Sequence, residues 1–395
     1  MLFSIALILI IGFSLSGIFA RLGLPGLLGM ILTGILLGPF VLDLISLDIL
    51  NISAELRQIA LVVILVRAGL SLDLRDLKKV GRPAVLMSFI PATFEFLAVT
   101  LLAPLFFPIT TLEAAIMGTV LAAVSPAVVV PRMIHLIESG YGKKKNIPQL
   151  ILAGASVDDI YVIVLFTSFM GMNSGSGFDF GSLGRVPVSI VLGVLLGILS
   201  GFILVEIFRR LHIRDTVKVL IILSVAFLFI SLEEFVSPYV PVSGLLAVMA
   251  LGGTILEQYE VLAKRLMGKF SRLWVTAEVL LFVLVGAAVD ITYVGRTGMM
   301  AVVLILLALV FRIIGVYISL LGTSLDVKEK LFCAIAYLPK ATVQAAIGSI
   351  PLAAGVGAGN TILSVAVLAI LITAPIGAIG IDKTYKRLLE PSPST

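Results

Sequence analysis

The composition of the 395-residue chain is that of a membrane protein. Hydrophobic residues make up 60% of it and charged residues only 13%, whereas soluble domains average about 25% charged residues. The single cysteine, Cys333, excludes internal disulfides and a cysteine metal cluster. The net charge of +5 fits basic loops that face anionic lipid headgroups, so lipid is the expected surface partner and no nucleic acid is needed.

The hydropathy pattern predicts thirteen membrane-spanning helices, because one span needs about 20 mostly apolar residues. They are predicted at residues 2–19, 22–40, 54–72, 83–106, 111–133, 147–170, 186–207, 216–234, 240–257, 272–290, 299–321, 329–352 and 358–380. The first span lacks the basic start of a secretory signal and is kept as a mature helix. The chain is therefore predicted to be an all-α polytopic membrane protein with one membrane domain.

Lysine and arginine alternate between the predicted loops. Three of the 28 lie within spans, the loops on one side hold Arg57, Arg185 and Arg296, and the loops on the other side hold the remaining 22. Cytoplasmic loops carry an excess of Lys and Arg. The pattern predicts a multi-pass protein of the cell membrane with its N-terminus outside and its C-terminus in the cytoplasm.

The two halves of the chain resemble each other at an offset of about 215 residues. GLLGM at 26–30 resembles GLLAVM at 244–249, and LVRA at 65–68 resembles LVGA at 284–287. The helix at 186–207 lies between the halves, so the six spans within 2–170 and the six within 216–380 have opposite orientations. Two inverted six-helix repeats are typical of secondary transporters, whose binding sites lie near the membrane midplane.

Prolines interrupt two of the predicted spans at equivalent positions of the repeats. Pro126 and Pro339 are 213 residues apart, and each removes a backbone donor and clashes with the preceding turn. Backbone carbonyls freed at membrane depth are tolerated only within protein or around a polar cavity. The pair predicts two broken crossing helices beside a cation site, and the alternative is a simple kink without a ligand.

Two adjacent carboxylates, Asp158 and Asp159, lie in the middle of the span at 147–170. One charged residue at the membrane centre costs about 2.5–3.5 kcal/mol on translocon scales. A structural salt bridge accounts for one aspartate but not readily for both. The pair is expected to titrate as a coupled unit and to bind cations or protons.

Further charges are predicted at membrane depth. Glu95 and Arg312 are 217 residues apart, again equivalent positions, and they predict a mutual ion pair, with direct ion coordination as the alternative. Lys340 follows Pro339 directly, where an ammonium can neutralise the C-terminal dipole of a half-helix, with substrate contact as the alternative. Glu278 is interpreted as a candidate pH-responsive group.

Three motifs carry a family resemblance. SPAVVVP at 125–131, SVDD at 156–159 and LPKATVQAAIG at 338–348 resemble the monovalent cation/proton antiporter superfamily, and most closely its sodium/proton antiporter branch. The resemblance implies a core domain at about 83–170 and 299–380 and a dimerisation domain at about 1–72 and 186–290. It also implies a homodimer and an elevator movement of the core.

The resemblance also implies roles for individual residues. Asp159 matches the ion-binding carboxylate of the superfamily, and Asp158 matches a position that is Asp in many electrogenic members and Asn in many electroneutral ones. Ser125, Ser156 and the neighbouring Val124 complete the expected site for Na⁺, Li⁺ or H⁺. A monovalent cation is the only metal expected there.

The predicted function is exchange of Na⁺ or Li⁺ for H⁺ by competition at Asp159, without catalysis and without a cofactor. K⁺/H⁺ exchange or K⁺ efflux is the closest alternative, and an intramembrane aspartyl protease is an alternative from another class. No P-loop motif occurs, so ATP is not the expected energy source. A second proton from Asp158 favours electrogenic exchange, and an Asp158 that stays ionised makes exchange electroneutral.

Overall fold

The regular secondary structure of the described residues is helical. The structure, a computed structural model, describes residues 1–71, 80–173, 180–236, 240 and 242–391, and it contains no β-strand within them. Arg75, Lys78 and Lys79, predicted as cytoplasmic loop residues, lie outside the described residues. The helices are α1 Leu2–Arg21, α2 Leu27–Leu37, α3 Leu47–Asn51, α4 Ser53–Ser71, α5 Arg82–Phe106, α6 Thr111–Ala122, α7 Pro126–Ser139, α8 Ile147–Asn173, α9 Phe180–Arg210, α10 Asp215–Val236, α11 Gly244–Gln258, α12 Glu260–Ala287, α13 Ile291–Ser319, α14 Val327–Ala336, α15 Thr342–Ile347, α16 Ile350–Ala353 and α17 Gly359–Leu388.

Nine helical segments among the described residues are long and apolar enough to cross a membrane, and one of them is the interrupted pair α6 and α7 taken together, at Thr111–Ser139. The other four predicted spans correspond to shorter or more polar elements. Of these, α2 and α11 are short, α4 carries Glu55, Arg57 and Arg67, and the span at 329–352 is divided among three short helices. The membrane class is thus confirmed, whereas the count of thirteen crossings stays a prediction.

Both predicted helix breaks are confirmed. The first separates α6 from α7, and Ser125 between them is extended, at φ −90° and ψ 111°. Proline disfavours the helical conformation in the residue before it, so Pro126 explains both the end of one half-helix and the start of the next. The second break separates α14 from α15 and contains Pro339.

Several helices extend beyond the predicted apolar windows. The helix α12 begins at Glu260 rather than at residue 272, and its first turns hold an ion pair between Lys264 and Glu260 at 2.7 Å. Similarly, α17 continues to Leu388 rather than ending near residue 380. Hydropathy marks the apolar segment of a helix, and pairs of charges four residues apart stabilise turns beyond it.

The described residues divide into two compact units. The first contains those within Met1–Ala54, Arg75–Val162 and Leu281–Thr395, and the second contains those within Glu55–Leu74 and Ile163–Leu280. Both helix breaks, together with Asp158, Asp159, Glu95 and Arg312, belong to the first unit.

Glycines permit close helix packing inside each unit. In the first unit, a Cβ added at Gly34 of α2 would overlap the Val283 carbonyl at the end of α12. In the second unit, a Cβ at Gly69 of α4 would overlap the Met249 carbonyl of α11. Small residues let membrane helices approach at backbone distance, where van der Waals contacts and not the hydrophobic effect drive association.

An ion pair fastens the start of α14 to the segment before α8. Lys145 Nζ lies 2.7 Å from Glu329 Oε2, and the same carboxylate accepts the Asp326 amide at 2.8 Å in a helix-capping arrangement. The hydrogen bond from Lys145 to Glu329 raises the pKa of Lys145 above its ordinary value of 10.5. A lysine with a raised folded-state pKa stabilises the fold below its unfolded pKa and loses that contribution as pH rises through the folded one.

We predict that Gly34→Ala lowers thermal stability, because overpacking at a backbone contact costs about 1–3 kcal/mol. Gly17→Ala in α1 is the matched control, since nothing lies within 4 Å of an added Cβ there. The control should be neutral or slightly stabilising. Unfolding temperatures of the purified proteins measure both effects, and equal unfolding temperatures for the two variants would contradict the packing argument.

We also predict that Lys145→Met lowers the unfolding temperature at pH 8 and that the difference from wild type shrinks as the pH rises through the raised pKa of Lys145. Lys144→Met is the control. Its ammonium lies 3.7 Å from Glu390, and both side chains are largely exposed, so the pair contributes little. A deficit of Lys145→Met that stays constant over this pH range would show that the ionic contact is not its cause.

Candidate functional site

The two helix breaks lie against each other. The Ser125 amide donates to the Pro339 carbonyl at 2.8 Å, which joins the first break to the second. Gln344 spans both, because its Nε2 donates to the Ala123 carbonyl at 2.9 Å and its Oε1 accepts the Ala341 amide at 2.8 Å. Backbone groups freed at the breaks are therefore satisfied by each other and by one glutamine.

Arg312 of α13 occupies the centre of this arrangement and is fully buried. Its Nη1 lies 2.7 Å from Glu95 Oε2 and its Nη2 lies 3.3 Å from Asp158 Oδ2. Its Nε donates to the Tyr337 carbonyl at 2.6 Å, and its Nη1 also donates to the Ala122 carbonyl. One guanidinium thus holds two carboxylates and the carbonyl end of the half-helix before each break.

Glu95 of α5 is shared between two cations. Besides Arg312, it contacts Lys340 Nζ at 2.5 Å, and both of these side chains are buried. The Lys340 amide in turn donates to Thr373 Oγ1 of α17 at 2.9 Å. Lys340, which the sequence assigned to the dipole of a half-helix, therefore forms an ion pair with the Glu95 carboxylate.

The two aspartates of α8 have different surroundings. Asp158 Oδ2 accepts the Val124 amide at 2.7 Å in addition to the Arg312 contact. Asp159 is buried, with 9% of its surface exposed, and its Oδ1 has no hydrogen-bond partner. Three carboxylates (Glu95 and both aspartates) face two cations, which leaves one negative charge when all are ionised. Asp159 is the carboxylate without a cationic contact.

Unpartnered oxygens collect at this place. Six of the buried side-chain oxygens without a hydrogen-bond partner in the described part of the chain lie on the two breaks and on α8: Ser125 Oγ, Gln149 Oε1, Asp158 Oδ1, Asp159 Oδ1, Tyr337 Oη and Thr342 Oγ1. Gln149 lies near the start of α8, nine residues before Asp158. Buried polar atoms are normally paired, and such exceptions call for an explanation such as an ion or a proton. Oxygen atoms are the ligands that hard cations prefer.

Two predicted residues lie apart from this cluster. Ser156 is exposed, and its hydroxyl donates to the Leu152 carbonyl of its own helix at 2.9 Å. Glu278 belongs to the second unit, where it interacts electrostatically with Arg67. The Arg67 guanidinium lies over the Trp274 ring, 5.5 Å from its centroid.

Sequence reasoning did not assign roles to Tyr337, Thr342 and Gln344. The signal for the last two was available, because they are the polar side chains in the apolar stretch that follows Pro339. Thr342 and Gln344 are both buried, at 2% and 0% exposure. Polar side chains so close to a break are expected to serve the backbone groups that the break releases.

Comparisons with known proteins agree with this architecture. A family profile described as "Sodium/hydrogen exchanger, transmembrane" matches residues 4–386. The chain is 35% identical over 380 residues to mouse sodium/hydrogen exchanger 9B2, covering 93% of this chain and 69% of that protein. It is 34% identical over 393 residues to human sodium/hydrogen exchanger 9B1, covering 93% and 74%.

A solved structure has the same fold. The sodium proton antiporter MjNhaP1 of Methanocaldococcus jannaschii, determined at pH 8, superposes with a TM-score of 0.83, covering 97% of each chain at 21% sequence identity. The likeness extends to the whole polypeptide and confirms the predicted antiporter fold. The chain is a membrane protein that belongs to the sodium/hydrogen exchanger family of transporters.

Proposed function

We propose that this protein exchanges Na⁺ or Li⁺ for H⁺ across the membrane by alternating access. One observation carries the proposal: Asp159 is a buried carboxylate without a cationic contact, beside further unpartnered oxygens, in a cluster whose other charges are paired. One Na⁺ or one proton neutralises the remaining charge. Asp159, Ser125 and Thr342, with Asp158 Oδ1, supply oxygens for a dehydrated cation.

Competition for one carboxylate couples the two fluxes. The empty, charged site does not cross the membrane readily, because burying an uncompensated charge is too costly. A site loaded with either ion is neutral and can cross. Because the empty site cannot cross, each crossing must carry either a cation or a proton. Exchange is therefore obligatory, and the gradient of one ion drives the movement of the other.

The moving body in this proposal is the core domain at about 83–170 and 299–380. Three cross-links support its motion as one piece: the Ser125–Pro339 hydrogen bond, the Gln344 bridge and the Arg312 contacts. The elevator scheme assigns about 1–72 and 186–290 to a stationary homodimeric scaffold. It keeps the N-terminus outside and the C-terminus in the cytoplasm.

The remaining predicted residues have narrower roles. Val124 donates its amide to Asp158 and so positions that carboxylate. Ser156 joins the ligand set only if its hydroxyl turns away from Leu152. Pro126 and Pro339 create the breaks, and Glu278 is kept as a pH-responsive candidate of the second unit.

The contacts of Asp158 favour electroneutral exchange over the two-proton scheme. Its Oδ2 accepts both a backbone amide and the Arg312 guanidinium. Arginine is not deprotonated in proteins, so the cationic partner of Asp158 persists throughout the cycle. We propose that Asp158 stays ionised and that one proton is exchanged for each cation.

Two alternatives to Na⁺/H⁺ exchange can be compared with the geometry of this cluster. K⁺/H⁺ exchange needs no different residues, only a wider arrangement of oxygens, and ion competition decides it. A protease needs two aspartates on facing elements, whereas Asp158 and Asp159 are neighbours on α8 and point about 100° apart. Membership of a transporter family also argues against peptide cleavage.

We predict that Asp159→Asn abolishes cation-driven proton movement while the protein remains folded, because an amide can neither release a proton nor supply a charge. Proteoliposomes with an internal pH-sensitive dye, given Na⁺, Li⁺, K⁺ or choline, measure the exchange. Asp382→Asn is the control, because that carboxylate pairs with Arg132 outside the cluster.

The response of the wild-type protein in this assay also selects the ion. A response to Na⁺ and Li⁺ with little response to K⁺ supports the proposal, and a response to K⁺ alone supports the alternative. Wild-type exchange rates in Asp159→Asn would show that the ion binds elsewhere.

We further predict that exchange is insensitive to membrane potential. One elementary charge moved across 100 mV is worth about 2.3 kcal/mol, or roughly 50-fold in the cation gradient at equilibrium. Potassium diffusion potentials set with valinomycin test for a shift of that size under Na⁺/H⁺ exchange. A voltage response that disappears in Asp158→Asn would restore the two-proton scheme.

A further inference from the structure

The hydroxyl of Tyr337 is an unused donor inside the core. Tyr337 ends α14 just before the second break, and its side chain is fully buried. Its Oη has no hydrogen-bond partner. Leaving a buried donor unpaired costs its full desolvation penalty. If the Tyr337 hydroxyl made no hydrogen bond, phenylalanine at this position would therefore not lower the stability of the fold.

The position of this hydroxyl is fixed on two sides. The Arg312 guanidinium lies over the Tyr337 ring at 5.4 Å from the centroid, and Arg312 Nε holds the Tyr337 carbonyl at 2.6 Å. At the other end of the ring, Gly154 of α8 leaves the space that the hydroxyl occupies, because a Cβ added there would overlap Oη. The phenol thus lies in a notch on α8.

The notch lies one helical turn before Asp158. Residues four apart on a helix are neighbours, with Cβ atoms about 5–6 Å apart. Side chains of a helix lean toward its N-terminus, so the Asp158 carboxylate leans toward the notch at Gly154. One water that makes two hydrogen bonds of about 2.8 Å can join groups placed one helical turn apart.

The two atoms have complementary needs. Asp158 Oδ2 is occupied by Val124 and Arg312, whereas Asp158 Oδ1 is a buried acceptor without a donor. Tyr337 Oη is a buried donor without an acceptor. The nearby charged groups do not meet this need, because Lys340 contacts Glu95, Arg312 contacts Oδ2, and Asp159 is itself an acceptor.

We propose that the Tyr337 hydroxyl donates through one bridging water to Asp158 Oδ1 and is a positioning residue of the ion site. Arg312 and the Val124 amide fix the Asp158 carboxylate at Oδ2, and the bridge from Tyr337 fixes it at Oδ1, so the orientation of the carboxylate plane is determined. Asp158 is thereby kept ionised and correctly turned toward the cation. The consequence for transport rests on the proposed function, whereas the hydrogen-bond bridge does not.

The first test is independent of transport. Tyr337→Phe removes only the hydroxyl. Removing an unpaired donor is neutral or stabilising, whereas removing a bridged one is destabilising. We expect a fall of a few degrees in unfolding temperature, and a smaller fall when the substitution is made in Asp158→Asn. Tyr385→Phe, near the cytoplasmic end of α17, is the matched control. An unchanged or raised unfolding temperature in Tyr337→Phe, or equal falls in both backgrounds, overturns the bridge.

The second test is the transport assay. Loss of one hydrogen bond to a charged ligand is expected to raise the KM for Na⁺ roughly tenfold while kcat stays within about twofold. Unchanged KM in Tyr337→Phe, with Asp159→Asn inactive, rejects the positioning role and leaves the proposed function standing. A wild type that exchanges no monovalent cation rejects the proposed function, and the unfolding measurements still decide the bridge.

Discussion

A single buried guanidinium, that of Arg312, constrains the rest of the core. It contacts Glu95 and Asp158. Its positive charge is permanent, because arginine stays protonated in proteins. It also binds the carbonyls of Ala122 and Tyr337, which end the half-helices before the two breaks. Charge balance and backbone geometry are therefore determined at the same place. Since Arg312 and Lys340 contact Glu95 and Asp158, Asp159 is the carboxylate of this cluster that has no cationic contact.

The breaks create polar groups, and most of these are already satisfied. The sequence left open whether the freed carbonyls lie within protein or around a polar cavity. In the structure, Arg312 and Gln344 donate to the carbonyls of Ala122 and Ala123, and the Ser125 amide donates to that of Pro339. The unpartnered atoms are side-chain oxygens. The breaks therefore shape the cluster and join its parts, and the side chains of α8 and the break residues provide its chemistry.

Much of this could be predicted from the sequence, and the limits have physical causes. The hydropathy pattern predicted the apolar helices, and the prolines predicted both breaks, because each of these signals depends only on residues close together in the sequence. A common offset suggested that Glu95 meets Arg312, which the repeat makes plausible without a structure. By contrast, the contact of Lys340 with Glu95 depends on the directions of two side chains that are 245 residues apart in sequence. The different environments of Asp158 and Asp159 likewise depend on tertiary contacts, and the polar start of α12 at Glu260 lies beyond what an apolar window detects.

The order of these charges along the chain has a consequence for biosynthesis. Glu95, Asp158 and Asp159 are made first, and the cations that compensate them come much later: Arg312 follows Asp158 by 154 residues and Glu95 by 217. Until the second half is inserted, the first half carries three acidic groups in a membrane without these partners, each costly there. The first half of the chain therefore cannot complete its charge balance on its own, and the core is assembled only once α13 and the second break have been inserted.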